Sequence, residues 1–413
     1  MAKVLFLMLP EKGHINSSFK IAKTLKSRGH AVVYSQLYDF EEYICAQGLE
    51  FVPLFGELFP KGYQVHRDYR ASLSEGLATQ LNEVAAARHQ TTLDFLREEM
   101  AAILERAKPH VLVMDSYIAK GMVPARRPGD PPCILLNSTI VDPYDDTTFA
   151  AVSGMTTLFL CPEEFDLPRE QKVPQYRHVE ASCDLLRKEM AGFPWGRVDE
   201  GKKLVYCSLG TQTHWSHEDT DHELNQRILR NFLQAVVSVM NARADWQLIM
   251  SLGAHLRAEE FHNVPANALL VNEAPQLQIL KKASLVITHG GLNTIKECIL
   301  IGVPMLVFPL RGDQLGNAAR VVFHRLGLAA NIETATVESI ISLMDKMERD
   351  TGLASRVESM REVFLRRERE GRAVTMIEDC LAGTLPIPRA TGLRPRLRTI
   401  SVAGLGPTGR TFA

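Results

Sequence analysis

The sequence predicts an α/β protein built from two doubly wound parallel-sheet domains. Three observations carry that expectation. The chain has 413 residues, more than one hydrophobic core usually serves. Short apolar runs alternate with amphipathic stretches, the pattern of parallel strands covered by helices. The alternation occurs twice, on either side of a stretch from Pro162 to Lys203 with several prolines and few apolar runs.

The first half offers strands at 3–9, 31–35, 50–54, 110–114 and 133–137. After the first of these, Ile15, Phe19, Ala22 and Leu25 share one helical face, and Gly29 ends the helix. A long helical stretch from Ser72 to Ala107 leads into the fourth strand. The second half offers strands at 203–208, 246–250, 268–272, 284–288 and 304–308, five again, with closing helices at 336–349 and 353–382. The expected domains are 1–198, which includes the connection, and 199–385. The tail from 386 to 413 has five Arg and no acidic residue among frequent Gly and Pro, the composition of a solvated, disordered end.

Composition narrows the function classes. Hydrophobic content of 46% and charged content of 23% fit an ordinary globular protein, and a net charge of −1 gives no general reason to expect nucleic acid. The apolar run Val4 to Leu9 is short for a signal peptide and enters Glu11-Lys12-Gly13-His14 without a cleavage site. No run has the length of a membrane span. Seven cysteines, without a C-x-x-C pair, suggest neither a disulfide framework nor a zinc site, and a reducing cytoplasm is the expected home.

Chemistry concentrates between Val271 and Asn317. The strand at 284–288 runs into His289-Gly290-Gly291, and a helix then opens through Asn293, Thr294 and Glu297. A helix N-terminus presents unpartnered N–H groups and partial positive charge, and side-chain-free glycines let a phosphate approach. Thr294-x-x-Glu297 also reads as a capping box. Asp313 and Gln314, beyond Pro309, offer a carboxylate and an amide to sugar hydroxyls, or alternatively cap a helix over Leu315 to Leu326.

Taken with Ala274-Pro275-Gln276 and Gly302-Val303-Pro304, this series resembles the donor signature of the UDP-dependent glycosyltransferases, which include macrolide, zeaxanthin and plant secondary-product enzymes. The resemblance covers residues 2 to 384 and implies a GT-B fold of two Rossmann-like domains. It further implies that His289 and nearby backbone hold a diphosphate, Glu297 the ribose, and Asp313 with Gln314 the hexose. Many relatives place an aromatic ring where this chain has Glu273, so the base is the least constrained part of the donor.

A sheet wound in the order 3-2-1-4-5 binds ligands beyond the carboxyl ends of its first and fourth strands. That rule brings His14 beside Asp115 in the first half, and Gly210-Thr211 beside His289 in the second; domains that face each other would make one cleft of the two crevices. A histidine–carboxylate pair suits a general base for an acceptor hydroxyl. Taken singly, His14 reads equally as a helix-start residue and Asp115 as a helix N-cap. The family's catalytic pair matches both positions, although a Pro common after that histidine is replaced by Ser17.

The expectation is an inverting hexosyltransferase that moves a sugar, glucose by preference, from a UDP-sugar to a hydrophobic hydroxylated aglycone. No metal or other cofactor is expected. Loops at 55–75 and 138–155, with Phe55, Leu58, Phe59, Tyr63, Tyr144 and Phe149, are candidates for the aglycone contact. A sugar-nucleotide epimerase, a lipid-linked-sugar transferase and a non-catalytic helper are the alternatives; retention of both His14 and Asp115 with the donor series argues against the helper.

Overall fold

The computed structural model describes residues 1–62, 73–140, 152, 154–168, 175–189, 192–210, 222–253, 256–310 and 312–385. Thr211, Tyr63, Tyr144, Phe149 and the tail from 386 lie outside the described residues. The chain forms two compact units.

The first unit carries a seven-stranded sheet of β1 (Lys3–Leu7), β2 (Ala31–Gln36), β3 (Glu50–Pro53), β4 (Val111–Asp115), β5 (Cys133–Asn137), β6 (Thr157–Phe159) and β7 (Tyr176–His178). Its order is β3-β2-β1-β4-β5-β6-β7, with every neighbouring pair parallel. Val4 to Leu7, Val111 to Met114 and Ile134 to Leu136 have no exposed surface. Strands covered on both faces read as unbroken apolar runs, which is why these were legible. Around the sheet lie α1 (Lys12–Ser27), α2 (Glu41–Cys45), α3 (Leu73–Ala87), α4 (Thr92–Ala107) and α5 (Ser116–Ala125).

The sequence expectation fails here in two ways. The single helix over 72–107 is two helices, because His89 takes a left-handed φ of 54° and Thr91 caps the second by accepting from the Asp94 N–H at 3.1 Å. The five-stranded sheet has two further strands. β6 and β7 are three residues each, and β7 is only half-buried, too short for periodicity to register.

The second unit has a six-stranded parallel sheet in the order β10-β9-β8-β11-β12-β13. Its strands are β8 (Lys203–Ser208), β9 (Trp246–Ser251), β10 (Ala268–Val271), β11 (Leu285–Thr288), β12 (Met305–Val307) and β13 (Gly327–Ala329), the last unforeseen. Gly327 is required there, since a Cβ would lie 1.8 Å from the Met305 carbonyl oxygen. Its helices are α6 (His222–Ala242), α7 (Gln276–Leu280), α8 (Leu292–Ile301), α9 (Asp313–Phe323), α10 (Val337–Arg349) and most of α11 (Leu353–Glu370). The helix expected at Leu315 to Leu326 thus begins two residues earlier, with Asp313 inside it and Gly312 at the cap.

The expected cut at 198/199 falls after the chain has already entered the second unit at Glu189, and it misses two excursions of the chain. Glu164–Pro168 belongs to the second unit, where Asp166 accepts from Nε and Nη2 of the fully buried Arg320 at 2.9 and 2.6 Å. From Arg367 the chain belongs to the first unit, and α12 (Arg372–Ala382) packs there on α1, β4 and β5 through Ala373, Val374, Ile377 and Cys380. The expected single helix over 353–382 breaks at Gly371, whose φ of 59° suits glycine.

All seven cysteines are free thiols, five of them buried. Among the described residues no helix is long and apolar enough to cross a membrane.

Candidate active site

In the first unit, β1 and β4 are hydrogen-bonded neighbours, with Leu7 opposite Met114. The chain leaving β1 turns at once into α1 and places His14 in that helix's first turn. Asp115 is the last residue of β4 and the N-cap of α5. Its two oxygens do different work. Oδ1 accepts the Tyr117 backbone N–H at 2.9 Å, which caps the helix and fixes the carboxylate plane. Oδ2 lies 2.8 Å from His14 Nδ1.

Asp115 is completely buried and His14 is partly exposed, at 15% of its side chain. A carboxylate only accepts, so this bond places the imidazole hydrogen on Nδ1 and makes Nε2 the basic nitrogen. Tyr117 meets the imidazole edge-on, with ring centroids 5.3 Å apart. Ser138, just past β5, brings its Oγ to 3.0 Å from the same Nδ1. Ser138 and Tyr117 were not identified as site residues from the sequence. Ser138 immediately follows the end of a strand and Tyr117 stands two residues past a cap, and those positions were the available signal.

The second unit repeats the arrangement. β8 and β11 are neighbours, with Ser208 opposite Thr288, so Gly210 and His289 leave adjacent strand ends. The His289 ring sits in a slot between two glycines. A Cβ on Gly210 would lie 2.7 Å from His289 Cε1, and a Cβ on Gly291 would lie 2.6 Å from Nε2. Gly290 has a φ of 89°, and a Cβ there would meet Val307 Cγ1 at 2.8 Å and the Gln314 carbonyl oxygen at 3.2 Å. All three positions are therefore glycine for reasons of close approach, and Gly210 and Gly290, both at positive φ, for conformation as well.

α8 begins at Leu292 with Gly291 as its N-cap and no side-chain cap. The capping-box reading of Thr294-x-x-Glu297 is thereby overturned, because Thr294 is already the third helical residue. Gly291, Asn293 and Thr294 are half-buried at the open end of the helix. Glu297, in the second turn, is 4% exposed, and its Oε2 accepts from Gln276 Nε2 at 2.7 Å. Gln276 opens α7 after the half-buried Ala274, while Glu273 is exposed.

Asp313 and Gln314 form the first turn of α9 and are half-buried. Gln314 Oε1 accepts the Leu310 N–H at 2.9 Å. Asn317 ties this turn to the glycine loop: its Nδ2 donates to the Gly290 carbonyl at 3.0 Å and to Asp313 Oδ2 at 2.9 Å. Asn317 was missed as a site residue although it is one turn beyond Asp313. Within this unit the structure thus joins Gln276 to Glu297, Gly210 and Gly291 to His289, and Gly290 to Asp313 through Asn317.

Two of the apolar candidates around position 55 are core residues. Phe55 and Phe59 are 3% and 4% exposed and belong to the core, with Phe55 stacked on Phe95 at 5.8 Å. A short aromatic run after a strand serves packing as readily as binding, and here packing prevails.

Known proteins share both the motif and the architecture. The family model for UDP-glucoronosyl and UDP-glucosyl transferase matches residues 253–359, which hold the donor series from Ala274 to Gln314. An NDP-glycosyltransferase, YjiC, of Bacillus licheniformis is 26% identical over 91% of this chain and 96% of its own length. Demethyllactenocin mycarosyltransferase of Streptomyces fradiae is 25% identical over 92% of this chain and 87% of its own. In sequence the chain is similar to the UDP-glycosyltransferase family. The crystal structure of the kitacinnamycin glycotransferase superposes with a TM-score of 0.69 at 23% identity, covering 92% of this chain and 98% of that one, which gives the GT-B fold.

For a glycosyltransferase, the two sites have complementary chemistry. The first supplies a base with a fixed tautomer. The second supplies an imidazole and a helix N-terminus, which favour an anion, beside buried acceptors that suit hydroxyl groups.

Proposed function

We propose that the protein is an inverting glycosyltransferase that moves a hexose from a UDP-sugar to a hydroxyl of a hydrophobic natural product. The observation that carries this reading is the His14–Asp115 pair, 2.8 Å apart with the carboxylate wholly buried, at the carboxyl ends of adjacent strands. His14 Nε2 takes the proton of the acceptor hydroxyl as its oxygen attacks the anomeric carbon from the face opposite the diphosphate. Asp115 stabilises the imidazolium that forms, as in a hydrolase triad but without its nucleophile. A base so held contributes about 10²–10⁴-fold.

The departing diphosphate gains negative charge. His289 and the positive end of the α8 dipole meet it, so the proposal includes no divalent metal. Glu297 accepts from the ribose, while Asp313 and Gln314 address the hexose. Thr211, outside the described residues, is proposed as a further donor to the diphosphate. Similarity to the oleandomycin glycosyltransferase of Streptomyces antibioticus supports a natural-product acceptor of apolar, polyketide-like character.

The test is a mass-spectrometric screen of UDP- and thymidine-diphosphate sugars against hydrophobic aglycones, followed by His14→Ala on the best pair. Transfer should fall by about 10³-fold or more with UDP affinity unchanged and with no effect of EDTA on the wild type. Near-normal turnover of His14→Ala would sink the assignment.

A further inference from the structure

His14 Nδ1 has two oxygen neighbours, and the mechanism above uses only one. Asp115 Oδ2 stands at 2.8 Å and Ser138 Oγ at 3.0 Å. Ser138 is itself 5% exposed and follows β5, the strand next to β4 in the sheet. Serine, histidine and aspartate together resemble a hydrolase triad in composition, but the geometry excludes that role. A nucleophilic serine addresses the nitrogen opposite the carboxylate, whereas here both oxygens address Nδ1. His14 Nε2 therefore has no part in activating Ser138.

We propose that Ser138 is a positioning residue for His14, the second acceptor of the Nδ1–H bond. The inference rests on the reading of His14 as the general base. One ring nitrogen carries one hydrogen, and the carboxylate can only accept it, so the hydrogen is on Nδ1 and is shared between Asp115 and Ser138. Two acceptors on one N–H hold the ring plane more firmly than one.

They also act on proton affinity. When Nε2 takes the acceptor's proton, the Nδ1–H bond becomes charge-assisted, and a bond of that kind is about twice as strong as a neutral one. Ser138 thus stabilises the imidazolium more than the imidazole and makes His14 a stronger base. Asp115 from β4 and the edge of Tyr117 from α5 face the ring, and Glu11 and Lys12 flank it along its own chain. Asn137 Oδ1 is engaged by the Thr139 N–H and hydroxyl at 2.9 and 2.8 Å, which fixes the backbone on either side of Ser138.

The experiment is a titration of the full-length protein labelled with ¹⁵N in histidine, followed in long-range ¹H–¹⁵N spectra. His14 is assigned by the signals lost in His14→Gln. Neutral His14 should show the Nδ1–H tautomer. Ser138→Ala should lower its proton affinity by about threefold to tenfold, half to one pKa unit. Ser138→Thr keeps the hydroxyl and should restore most of the loss, which separates a bonding role from a merely structural one. With UDP-glucose and the best aglycone of the screen, Ser138→Ala should lower kcat by about tenfold at unchanged KM for the donor.

A His14 titration that is the same in Ser138→Ala as in the wild type overturns the proposal, as does an Nε2–H tautomer in the wild type. The two readings fail separately. An active His14→Ala removes the base assignment whatever the spectra show. An inactive His14→Ala with an unshifted Ser138→Ala titration removes Ser138 alone.

Discussion

Gly291→Ala probes the slot that holds His289. At this position the backbone itself tolerates a side chain, since φ is −60° and ψ is 131°, an extended conformation open to any residue. The entropic gain of replacing glycine roughly offsets the weaker N-cap preference of alanine, each within about 1 kcal/mol. Overall stability should therefore change little. The cost falls on the imidazole. The new Cβ would lie 2.6 Å from Nε2 and 3.0 Å from Cε1, so the ring must retreat by about 0.8 Å to reach ordinary contact near 3.4 Å. A misplacement of about 1 Å in a catalytic group costs roughly 10²-fold, or about 2.7 kcal/mol of transition-state stabilisation. The assay is kcat/KM with UDP-glucose, together with calorimetric binding of UDP and of thymidine diphosphate and a thermal melt as the folding control. In a His289→Ala background there is no ring to displace, so Gly291→Ala should add almost nothing, and the double-mutant cycle should return nearly the whole loss as coupling. The reasoning fails if Gly291→Ala retains wild-type kcat/KM, or if the same loss recurs when His289 is already gone.

Two further perturbations address binding and stability. Glu297→Ala removes the buried carboxylate that accepts from Gln276 Nε2 at 2.7 Å; a charge-assisted bond of this kind carries about 1.5–3 kcal/mol, so the donor KM should rise by about 10- to 100-fold while kcat holds within a few-fold, and an unchanged KM contradicts the ribose assignment. Burial pushes the Glu180 carboxyl above its ordinary range, outweighing the Ala373 N–H at the start of α12 that it accepts. A raised carboxyl contributes stability below its unfolded value near 4.5 and loses it as pH rises through the folded one. Glu180→Gln lacks that loss, so its melting temperature should gain on the wild type between about pH 4.5 and pH 8, and a gap that stays constant or narrows refutes the assignment.

How much of this was legible follows from what each feature depends on. β1, β4, β8 and β11 were readable because strands buried on both faces must be continuously apolar. β6, β7 and β13 were not, because three residues have no measurable period, and Gly327 is in its strand only for the close approach of the Met305 carbonyl. The excursion of Glu164–Pro168 is held by Asp166 on Arg320 and by Phe165 on His324 and Phe364, and composition does not reveal a partner 154 residues away.

Topology was enough to bring His14 and Asp115 together. Strands one and four are neighbours in a doubly wound sheet, so the residues leaving them meet. Yet topology could not reach Ser138, whose contact with Nδ1 depends on how the chain turns after β5, nor Asn317, whose amide spans Gly290 and Asp313. Capping a helix and holding His14 are also not alternatives at Asp115. Its Oδ1 starts a helix and its Oδ2 holds a histidine, and the first bond fixes the plane that aims the second. A residue that ends one strand and caps the next helix is anchored at both sides, and that rigidity suits it to orienting a base. At a switch point, a helix cap and a hold on a neighbouring histidine can therefore be one and the same carboxylate.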